Sequence, residues 1–466
     1  MLLIGEHNSA LFIAKEAIMK SYLLQNALLI NENQRLKRSV LIEGKMIKRI
    51  FNSDAHVEIP DDCEVVDLNG KWLLPGVIDD QVHFRDPGLT TKADMISESR
   101  AAVAGGVTSF MDMPNTIPNV LTQEVLEEKY QYAANRSLAN FSFYMGTSND
   151  NAEEVLKTNP KMTCGIKIFL GASTGNMLVD NMATLEKIFS ESKTLIAVHC
   201  EDEGIIQANL KKYREKYQDD IPWDTHPLIR SHEACYKSSS FAVGLAKKYG
   251  TRLHVLHLST ADEMALFTND VPLEEKKITA EVCVHHLWFN SSDYKEKQSL
   301  IKWNPAIKNR NDAEKLMAAL NNDVIDVVAT DHAPHLLSEK QNDYLHAPSG
   351  APMVQHSLVA MLQMAEQGKI GVERVVEKMS HSPARLFSIE KRGYIREGYY
   401  ADLVVVNPQS NWTVEKDNVL YKCGWSPMEG QSFTHQVEQT FVNGHRVYCE
   451  GDIDGSTKGM RLMFDR

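Results

Sequence analysis

The sequence has 466 residues, of which 43% are hydrophobic and 24% charged, a composition typical of a globular protein with one large domain and a smaller module. Aspartate and glutamate outnumber lysine and arginine by 62 to 50, and the net charge of -12 argues against nucleic acid as a partner, because nucleic-acid-binding surfaces need clustered positive charge. Since no run approaches the roughly 20 apolar residues that cross a bilayer, we expect no membrane partner either.

The cysteines and the first residues both favour a cytoplasmic protein. The seven cysteines are scattered and form no Cys-x-x-Cys pair, so we predict neither a disulfide framework nor a thiolate zinc site. The first residues lack a basic start followed by an apolar run, and therefore do not resemble a secretory signal. Because Met19 begins a segment that looks like an alternative start, residues 1–18 are interpreted as an N-terminal extension.

Short alternating runs lie at both ends of the chain and predict a small β-sandwich. Residues 19–72 contain several such runs separated by turn-forming residues, which indicates antiparallel strands. Strand-like patterns return near the C-terminus in REGYYADLVVVN and QVEQTFVNGHRVYC. The simplest interpretation is one module built from residues 19–72 and 390–466, with residues 73–389 inserted between its halves.

The central region alternates short apolar runs with segments of helical period, as parallel βα units require. The runs are LLPGVIDDQVHF, GVTSFMDM, NFSFYMG, CGIKIFL, TLIAVHC, RLHVLHL, ITAEVCV and DVIDVVAT. Eight such units define a (β/α)8 barrel, so the predicted fold class is α/β with a barrel of the TIM type. Barrel enzymes build their active sites at the carboxyl ends of the strands, and the unusual polar residues of this sequence fall there.

The first run carries Gln81, His83 and Arg85 at alternate positions. Residues two apart in a strand share a face, so Gln81 and His83 should point inward, with Arg85 just above them. Two inward polar side chains suggest a ligand set, although a single histidine at the end of a strand is more often structural.

Lys167 lies in the apolar run CGIKIFL, where an unpaired ammonium would be strongly destabilised. A lysine with a depressed pKa can react with carbon dioxide to form a carbamate, which is a carboxylate able to bridge two divalent ions. On this run alone, pairing with a neighbouring acid explains the lysine equally well.

Histidines end the fifth and sixth runs, at His199 and His257. Neighbouring strands bring these two residues together, one strand away from Lys167. As a set they suggest imidazole ligands of a zinc-like ion, whereas either histidine alone would be explained by packing in the core. His254 lies three residues before His257, and we expect it to face the helices.

The eighth run ends in ATDHAPH, where Asp331 emerges from an apolar strand. Such an aspartate is costly to bury unless it binds a metal or a proton, so it is a candidate general base. Capping of the next segment is the alternative.

Asn304 follows the seventh run at the same rim. A role in the active site and ordinary loop structure explain its position almost equally well. The segment GASTGN, residues 171–176, lacks the pattern of a phosphate-binding loop.

Several blocks of the sequence, taken in order, resemble the signature motifs of the dihydroorotases, a family of cyclic amidohydrolases. The blocks are PGVIDDQVHFRDPG, GGVTSFMDMPNT, GIKIFLG, VHCED, LHLST, WNPAIK and ATDHAPH. The flanking β segments also resemble the composite domain of that family. The resemblance therefore covers nearly the whole chain after Met19.

The resemblance implies a reversible reaction of pyrimidine synthesis, the interconversion of N-carbamoyl-L-aspartate with (S)-dihydroorotate and water. It implies one or two zinc ions held by His83, Lys167 as a carbamate, His199, His257 and Asp331. Asp331 would also act as the catalytic acid and base. The implied contacts to the small-molecule substrate are Arg85, Asn115 and His335 for its carboxylate and Asn304 for its ring. A guanidinium suits the first task, because its fork matches a carboxylate.

One position departs from the family pattern, because Gln81 stands where the family usually has the first histidine of a His-x-His pair. A neutral amide oxygen is a poorer zinc ligand than imidazole, so we expect an ion on the first-strand side to be held weakly. The site should then be mononuclear or unequally occupied. Asp79 or Asp80 would be alternative oxygen ligands, and the sequence does not decide between them.

Two other functions stay open at this stage. A hydantoinase, dihydropyrimidinase or allantoinase would share the metal ligands, but Arg85, Asn115 and His335 suit a substrate with a free carboxylate. A catalytically silent homologue with a structural role is supported only by Gln81, since the other ligands are present. The sequence does not decide the oligomeric state, and a homodimer or higher homo-oligomer is compatible with it.

Overall fold

A computed structural model of the chain describes residues 20–53, 55, 58–171 and 176–466. The predicted N-terminal extension, residues 1–18, lies outside the described residues, as does most of the GASTGN segment. Within the described part of the chain, no helix is long and apolar enough to span a membrane. All seven cysteines are free thiols.

Secondary structure follows the predicted order of strands, then alternating strands and helices, then strands again. The N-terminal strands are β1 (Tyr22–Asn31), β2 (Gln34–Glu43), β3 (Met46–Phe51), β4 (Glu64–Asp67) and β5 (Trp72–Pro75). The central strands are β6 (Val77–Val82), β7 (Val107–Asp112), β8 (Asn140–Phe143), β9 (Met145–Gly146), β10 (Ile166–Phe169), β11 (Ile196–His199), β12 (Leu253–Val255), β13 (Ile278–Cys283) and β14 (Val327–Ala329). The C-terminal strands are β15 (Leu403–Asn407), β16 (Trp412–Thr413), β17 (Ser432–Phe433), β18 (Gln436–Val442), β19 (His445–Cys449) and β20 (Asp452–Ile453).

Helices connect and cover the central strands. They are α1 (Met95–Ala104), α2 (Gln123–Ala134), α3 (Ala152–Val155), α4 (Met182–Glu191), α5 (Glu203–Tyr217), α6 (His226–Ile229), α7 (His232–Tyr249), α8 (Val284–Trp288), α9 (Tyr294–Lys297), α10 (Arg310–Asn321), α11 (Leu337–Lys340), α12 (Ser357–Glu366), α13 (Val372–Val376) and α14 (Ser382–Phe387). Several begin at a side-chain cap of the expected type. In α7, for example, the hydroxyl of Ser231 accepts from the amide of Ala234.

Strands from both chain ends join one nine-stranded sheet, in the order β20-β19-β18-β15-β5-β1-β2-β3 with β4 beside β1. The two ends meet where β15 runs antiparallel to β5, with Val404 opposite Leu74. The hairpin of β1 and β2 turns at Glu32 and Asn33, whose φ angles of 51° and 58° are the left-handed conformation of a tight hairpin turn. The strands enclose an apolar core of their own, so the predicted β-sandwich of both chain ends is confirmed. The boundaries between this module and residues 73–389 stay predictions.

The barrel contains a strand for each of the eight predicted runs. β6 to β8 form one parallel set and β9 to β14 a second, while β8 and β9 are separated only by Tyr144 and share one barrel position. The barrel closes where the amide of His83 donates to the carbonyl oxygen of His332 at 2.7 Å, next to a bridge between Val82 and His332. The predicted (β/α)8 barrel is therefore confirmed.

Apolar side chains fill the amino-terminal end of the barrel. Ile78, Ala197 and Val327 belong to one buried cluster, to which the C-terminal segment adds Phe464. Because this end is packed, solvent and small molecules reach the polar side chains of the interior only from the carboxyl ends of the strands.

Candidate active site at the mouth of the barrel

A cavity of about 390 Å³ opens at the carboxyl ends of the barrel strands. All the residues predicted to bind metal or substrate line it, and so does Gln81. The predicted residues are His83, Arg85, Asn115, Lys167, His199, His257, Asn304, Asp331 and His335. The structure thus brings every predicted site residue to one place, while their individual roles stay predictions.

Asp331 organises the first-strand side of the cavity. Its Oδ1 lies 3.1 Å from Nε2 of His83 and accepts a hydrogen bond of 3.1 Å from the side-chain amide of Gln81. The other nitrogen of His83 lies 2.8 Å from Oδ1 of Asn115, an oxygen that can only accept, so this imidazole carries a hydrogen on Nδ1. A neutral His83 therefore directs the lone pair of Nε2 towards the carboxylate, which is repulsive unless a cation or a proton lies between them.

His199 and His257 face each other on neighbouring strands. Nδ1 of His199 lies 3.0 Å from Nε2 of His257, and Nε2 of His199 donates to Glu201 at 3.1 Å. Burial lowers the pKa of His199, and it lowers the pKa of His257 well below the ordinary value. Both rings are therefore neutral at physiological pH, which is the form that binds a metal.

Lys167 extends from β10 into the same cavity and is fully buried. Its ammonium lies 4.6 Å from the ring centre of Phe169. Burial lowers the pKa of Lys167 to about 8, although Asp331 and Glu281 oppose the shift. A fraction of this amine is therefore neutral near pH 7 and able to react with carbon dioxide.

These side chains fit a divalent cation. Two nitrogens bound to one tetrahedral zinc ion at ~2.0–2.1 Å are roughly 3.3 Å apart, and the facing nitrogens of His199 and His257 are 3.0 Å apart. The carboxylate of Glu201 accepts from the second nitrogen of His199, which is the usual way in which a ligating imidazole is oriented. On the opposite side, a cation would also remove the repulsion between His83 and Asp331.

Arg85 and His335 form the outer wall of the cavity. Nη2 of Arg85 lies 3.1 Å from Nε2 of His335, and Nε of Arg85 donates to the carbonyl oxygen of Pro334 at 3.2 Å. Burial lowers the pKa of the Arg85 guanidinium. Within the described residues, Oδ1 of Asn304 is buried without a hydrogen-bond partner. The wall therefore offers a bound molecule one guanidinium and one vacant carbonyl acceptor.

Three residues of the site have left-handed backbone conformations, which are unfavourable for residues other than glycine. The φ angles are 63° for Arg85, 39° for His257 and 44° for Asp331. Such strain persists where surrounding structure holds a side chain in one position, and it is most common at functional sites.

The sequence did not reveal three residues that shape the cavity. Arg230, between α6 and α7, lines the cavity and pairs with Glu201. Despite burial, Arg230 and His199 hold the pKa of Glu201 at about 2, so this carboxylate is ionised. Trp303 donates from its indole to the backbone carbonyl of Asp331 at 3.3 Å. The sequence could have pointed to Glu201, because it lies two residues after His199, a predicted ligand. Nothing in the sequence pointed to Arg230.

One expectation about an interior residue needs correction. His254 does not face the helices; its Nε2 lies 3.1 Å from Oδ2 of Asp80 inside the barrel. The alternation fails because His257 lies beyond the end of β12 with a positive φ. Neither aspartate of the first strand replaces the missing imidazole, because Asp80 pairs with His254 and Asp79 accepts from the hydroxyl of Thr330 at 2.6 Å.

A (β/α)8 barrel with imidazoles, a buried lysine and an aspartate around one cavity is the arrangement of metal-dependent barrel hydrolases. The family model of the amidohydrolases matches residues 72–447. The chain belongs to the amidohydrolase family.

Relatives named dihydroorotase match most of the chain. The dihydroorotase of Methanosarcina acetivorans is 31% identical over 442 residues, which are 92% of this chain and 92% of the relative. The dihydroorotase of Halobacterium salinarum is 32% identical over 401 residues, which are 85% of this chain and 91% of the relative. The predicted resemblance to the dihydroorotases is confirmed.

Solved structures of cyclic amidohydrolases share the fold. The L-hydantoinase (dihydropyrimidinase) of Arthrobacter aurescens has a TM-score of 0.88 at 26% identity, covering 94% of this chain and 97% of that chain. The dihydropyrimidinase of Brevibacillus agri has a TM-score of 0.85 at 23% identity, covering 96% and 100%. The second likeness supports the fold alone.

Replacing Glu201 with glutamine tests whether the site holds a metal through an oriented His199. Glu201→Gln removes the negative charge that aligns the imidazole, so we expect the affinity for zinc to fall about 10–100-fold. Competition with a fluorescent chelator measures this affinity. The matched control is Glu124→Gln at an exposed position of α2, which should leave it unchanged. Equal zinc affinities of Glu201→Gln and the wild type would contradict the assignment.

Proposed function

We propose that this protein is a dihydroorotase, which interconverts N-carbamoyl-L-aspartate and (S)-dihydroorotate plus water in pyrimidine synthesis. One observation carries the proposal: a single cavity combines a set of metal ligands with a buried guanidinium and a vacant carbonyl acceptor. Relatives of that name match about nine-tenths of the chain.

The metal would be held mainly by Lys167, His199 and His257, with zinc as the expected ion and Lys167 as a carbamate. This side has two neutral imidazoles, and carboxylation of Lys167 would turn a cation into an anionic ligand. When bound, a divalent cation supplies polarisation of the ring carbonyl and activation of a water molecule. His83 and Asp331 would contribute on the other side, where Gln81 directs its amide hydrogens at Asp331, so any second ion there would be held weakly.

Asp331 would carry the proton in both directions. Hydrolysis adds the oxygen of water to the ring carbonyl carbon and breaks the bond from that carbon to the ring nitrogen, which must gain a proton. The carboxylate of Asp331, held by the amide of Gln81, is positioned to take a proton from water and return it to the leaving nitrogen. Ring closure uses the same proton path in reverse.

Arg85 and Asn304 would select the substrate. A buried guanidinium needs an anionic partner, and the carboxylate of dihydroorotate supplies one through paired hydrogen bonds. His335 lies beside Arg85, and Asn115 lies beside His83. Both side chains would complete the contact to the substrate carboxylate. The vacant Oδ1 of Asn304 would accept from a ring N–H.

Hydantoinase or dihydropyrimidinase activity is the nearest alternative, since the solved structures with those names share the fold. The buried guanidinium favours the carboxylated substrate over hydantoins, because without a carboxylate its charge would stay uncompensated. A silent homologue is disfavoured by the presence of Lys167, His199, His257 and Asp331 in one cavity. A cytoplasmic location and a homo-oligomeric state stay predictions.

The direct test of the proposed activity is hydrolysis of dihydroorotate before and after removal of metal. We expect turnover to be lost on chelation, to return with zinc, and to exceed turnover of hydantoin and allantoin. Asp331→Asn should lower kcat by at least about 100-fold, because it removes the proton carrier. The exposed Asp417→Asn serves as the matched control with wild-type kcat. Unchanged turnover after complete removal of metal, or a preference for hydantoin, would refute the proposal.

Arg85 is tested by comparing two substrates that differ only in the carboxylate. Arg85→Gln removes a charged hydrogen-bonding partner worth roughly 1.5–3 kcal/mol, so kcat/KM for dihydroorotate should fall about 10–100-fold. For dihydrouracil, which is the same ring without the carboxylate, kcat/KM should change little. The exposed Arg100→Gln is the control. An equal loss on both substrates would mean that Arg85 maintains the structure instead of reading the carboxylate.

A further inference from the structure

Three ionisable side chains meet inside the barrel, at positions that precede the active-site residues on their strands. They are Asp80 on β6, His254 on β12 and Glu281 on β13, and each is completely buried. One possible ligand atom from each lies within 4.8 Å of the other two. The three residues are not among those that line the cavity at the mouth of the barrel. They form a separate internal cluster.

Hydrogen bonding fixes which nitrogen of His254 faces the two acids. Oγ1 of Thr279 donates to the carbonyl oxygen of Leu253 at 3.2 Å, so towards His254 it accepts, from Nδ1 at 2.8 Å. The hydrogen of a neutral His254 is therefore on Nδ1. Its Nε2 faces the acids, 3.1 Å from Oδ2 of Asp80 and 3.7 Å from Oε2 of Glu281.

Each of the two carboxylates has one oxygen without a hydrogen-bond partner. Within the described residues, Oδ1 of Asp80 and Oε2 of Glu281 are buried without a partner. The other oxygen of Glu281 accepts from the backbone amide of His257 at 2.8 Å. Despite burial, the hydrogen bonds and charges of Asp80 and Glu281 raise the pKa of His254 to about 9, so without an ion the ring is protonated. The protonated ring leaves these two oxygens unpaired, which is costly in the interior.

We propose that Asp80, His254 and Glu281 bind a second divalent transition-metal ion of the zinc type, below the cavity. Two carboxylates and one imidazole are suitable ligands for such an ion, and the imidazole would release its Nε2 proton on binding. The ion would neutralise both carboxylates and would lie between Nε2 of His254 and the carboxylate oxygens that face it. Thr279 would orient the imidazole through its other nitrogen, as is usual for metal-bound histidine.

The internal ion would join three strands and support the active site from below. It links β6 to β12 and β13 across the barrel interior. Glu281 holds the backbone amide of His257, a residue of the cavity with a strained φ of 39°. The internal site would thus fix the position of one proposed ligand of the first site. This inference does not depend on which cyclic substrate the protein uses.

Counting zinc in isosteric variants tests the internal site. Asp80→Asn and Glu281→Gln keep the shape of each side chain but remove one ligand charge. After chelation, reloading with zinc and removal of excess ion, each variant should hold about one ion per chain fewer than the wild type. Asp326→Asn, a buried aspartate paired with Lys276 outside the cluster, is the matched control and should keep the wild-type count. A wild-type count in folded Asp80→Asn would overturn the proposal.

A measurement on the wild-type protein keeps the proposal testable if the variants do not fold. In crystals of the cobalt-loaded protein, the anomalous difference map at the cobalt edge should contain a peak between Asp80, His254 and Glu281. This peak would be separate from any peak beside His199. An empty cluster in a map that contains cobalt at the mouth of the barrel would overturn the proposal and assign the cluster to a proton shared by the imidazole and the acids.

Discussion

An ammonium group inside a protein must be neutralised or compensated, and Lys167 is in that position at the mouth of the barrel. Burial lowers its pKa to about 8 against the opposing charges of Asp331 and Glu281, and the imidazoles of His199 and His257 line the same cavity. Conversion to a carbamate would reverse its charge and create an anionic ligand opposite two neutral rings. The proposed metal site, the proposed activation of water and the function proposed for Asp331 would all depend on this one change of charge.

The barrel, the composite β module and all the cavity residues that carry proposed roles were predictable from the sequence. Strand ends in this fold meet at one rim, so histidine, lysine and aspartate after apolar runs identify a common site without knowledge of distances. Other features required coordinates. Arg230 reaches the cavity from the connection between α6 and α7, which contains no apolar strand run that would mark it. The left-handed backbone at His257 breaks the strand alternation from which the direction of the His254 side chain was predicted.

The polar interior has two layers with different tasks. The upper layer contains the residues that line the cavity, and its backbone is strained at Arg85, His257 and Asp331. The lower layer contains Asp80, His254 and Glu281, sealed from solvent by the packed end of the barrel. Glu281 connects the layers through the amide of His257. The first strand thus offers an amide to the upper layer, at Gln81, and a carboxylate to the lower one, at Asp80.

The most direct test of the account is whether Lys167 carries a carbamate that binds the metal. The protein is incubated with isotope-labelled bicarbonate, and its carbon NMR spectrum is recorded with zinc and then with paramagnetic cobalt. The account predicts a carbamate signal in the wild type, its absence in Lys167→Arg, and strong broadening when cobalt replaces zinc. A zinc-loaded, active protein without the signal, or a signal that cobalt leaves sharp, would contradict the account.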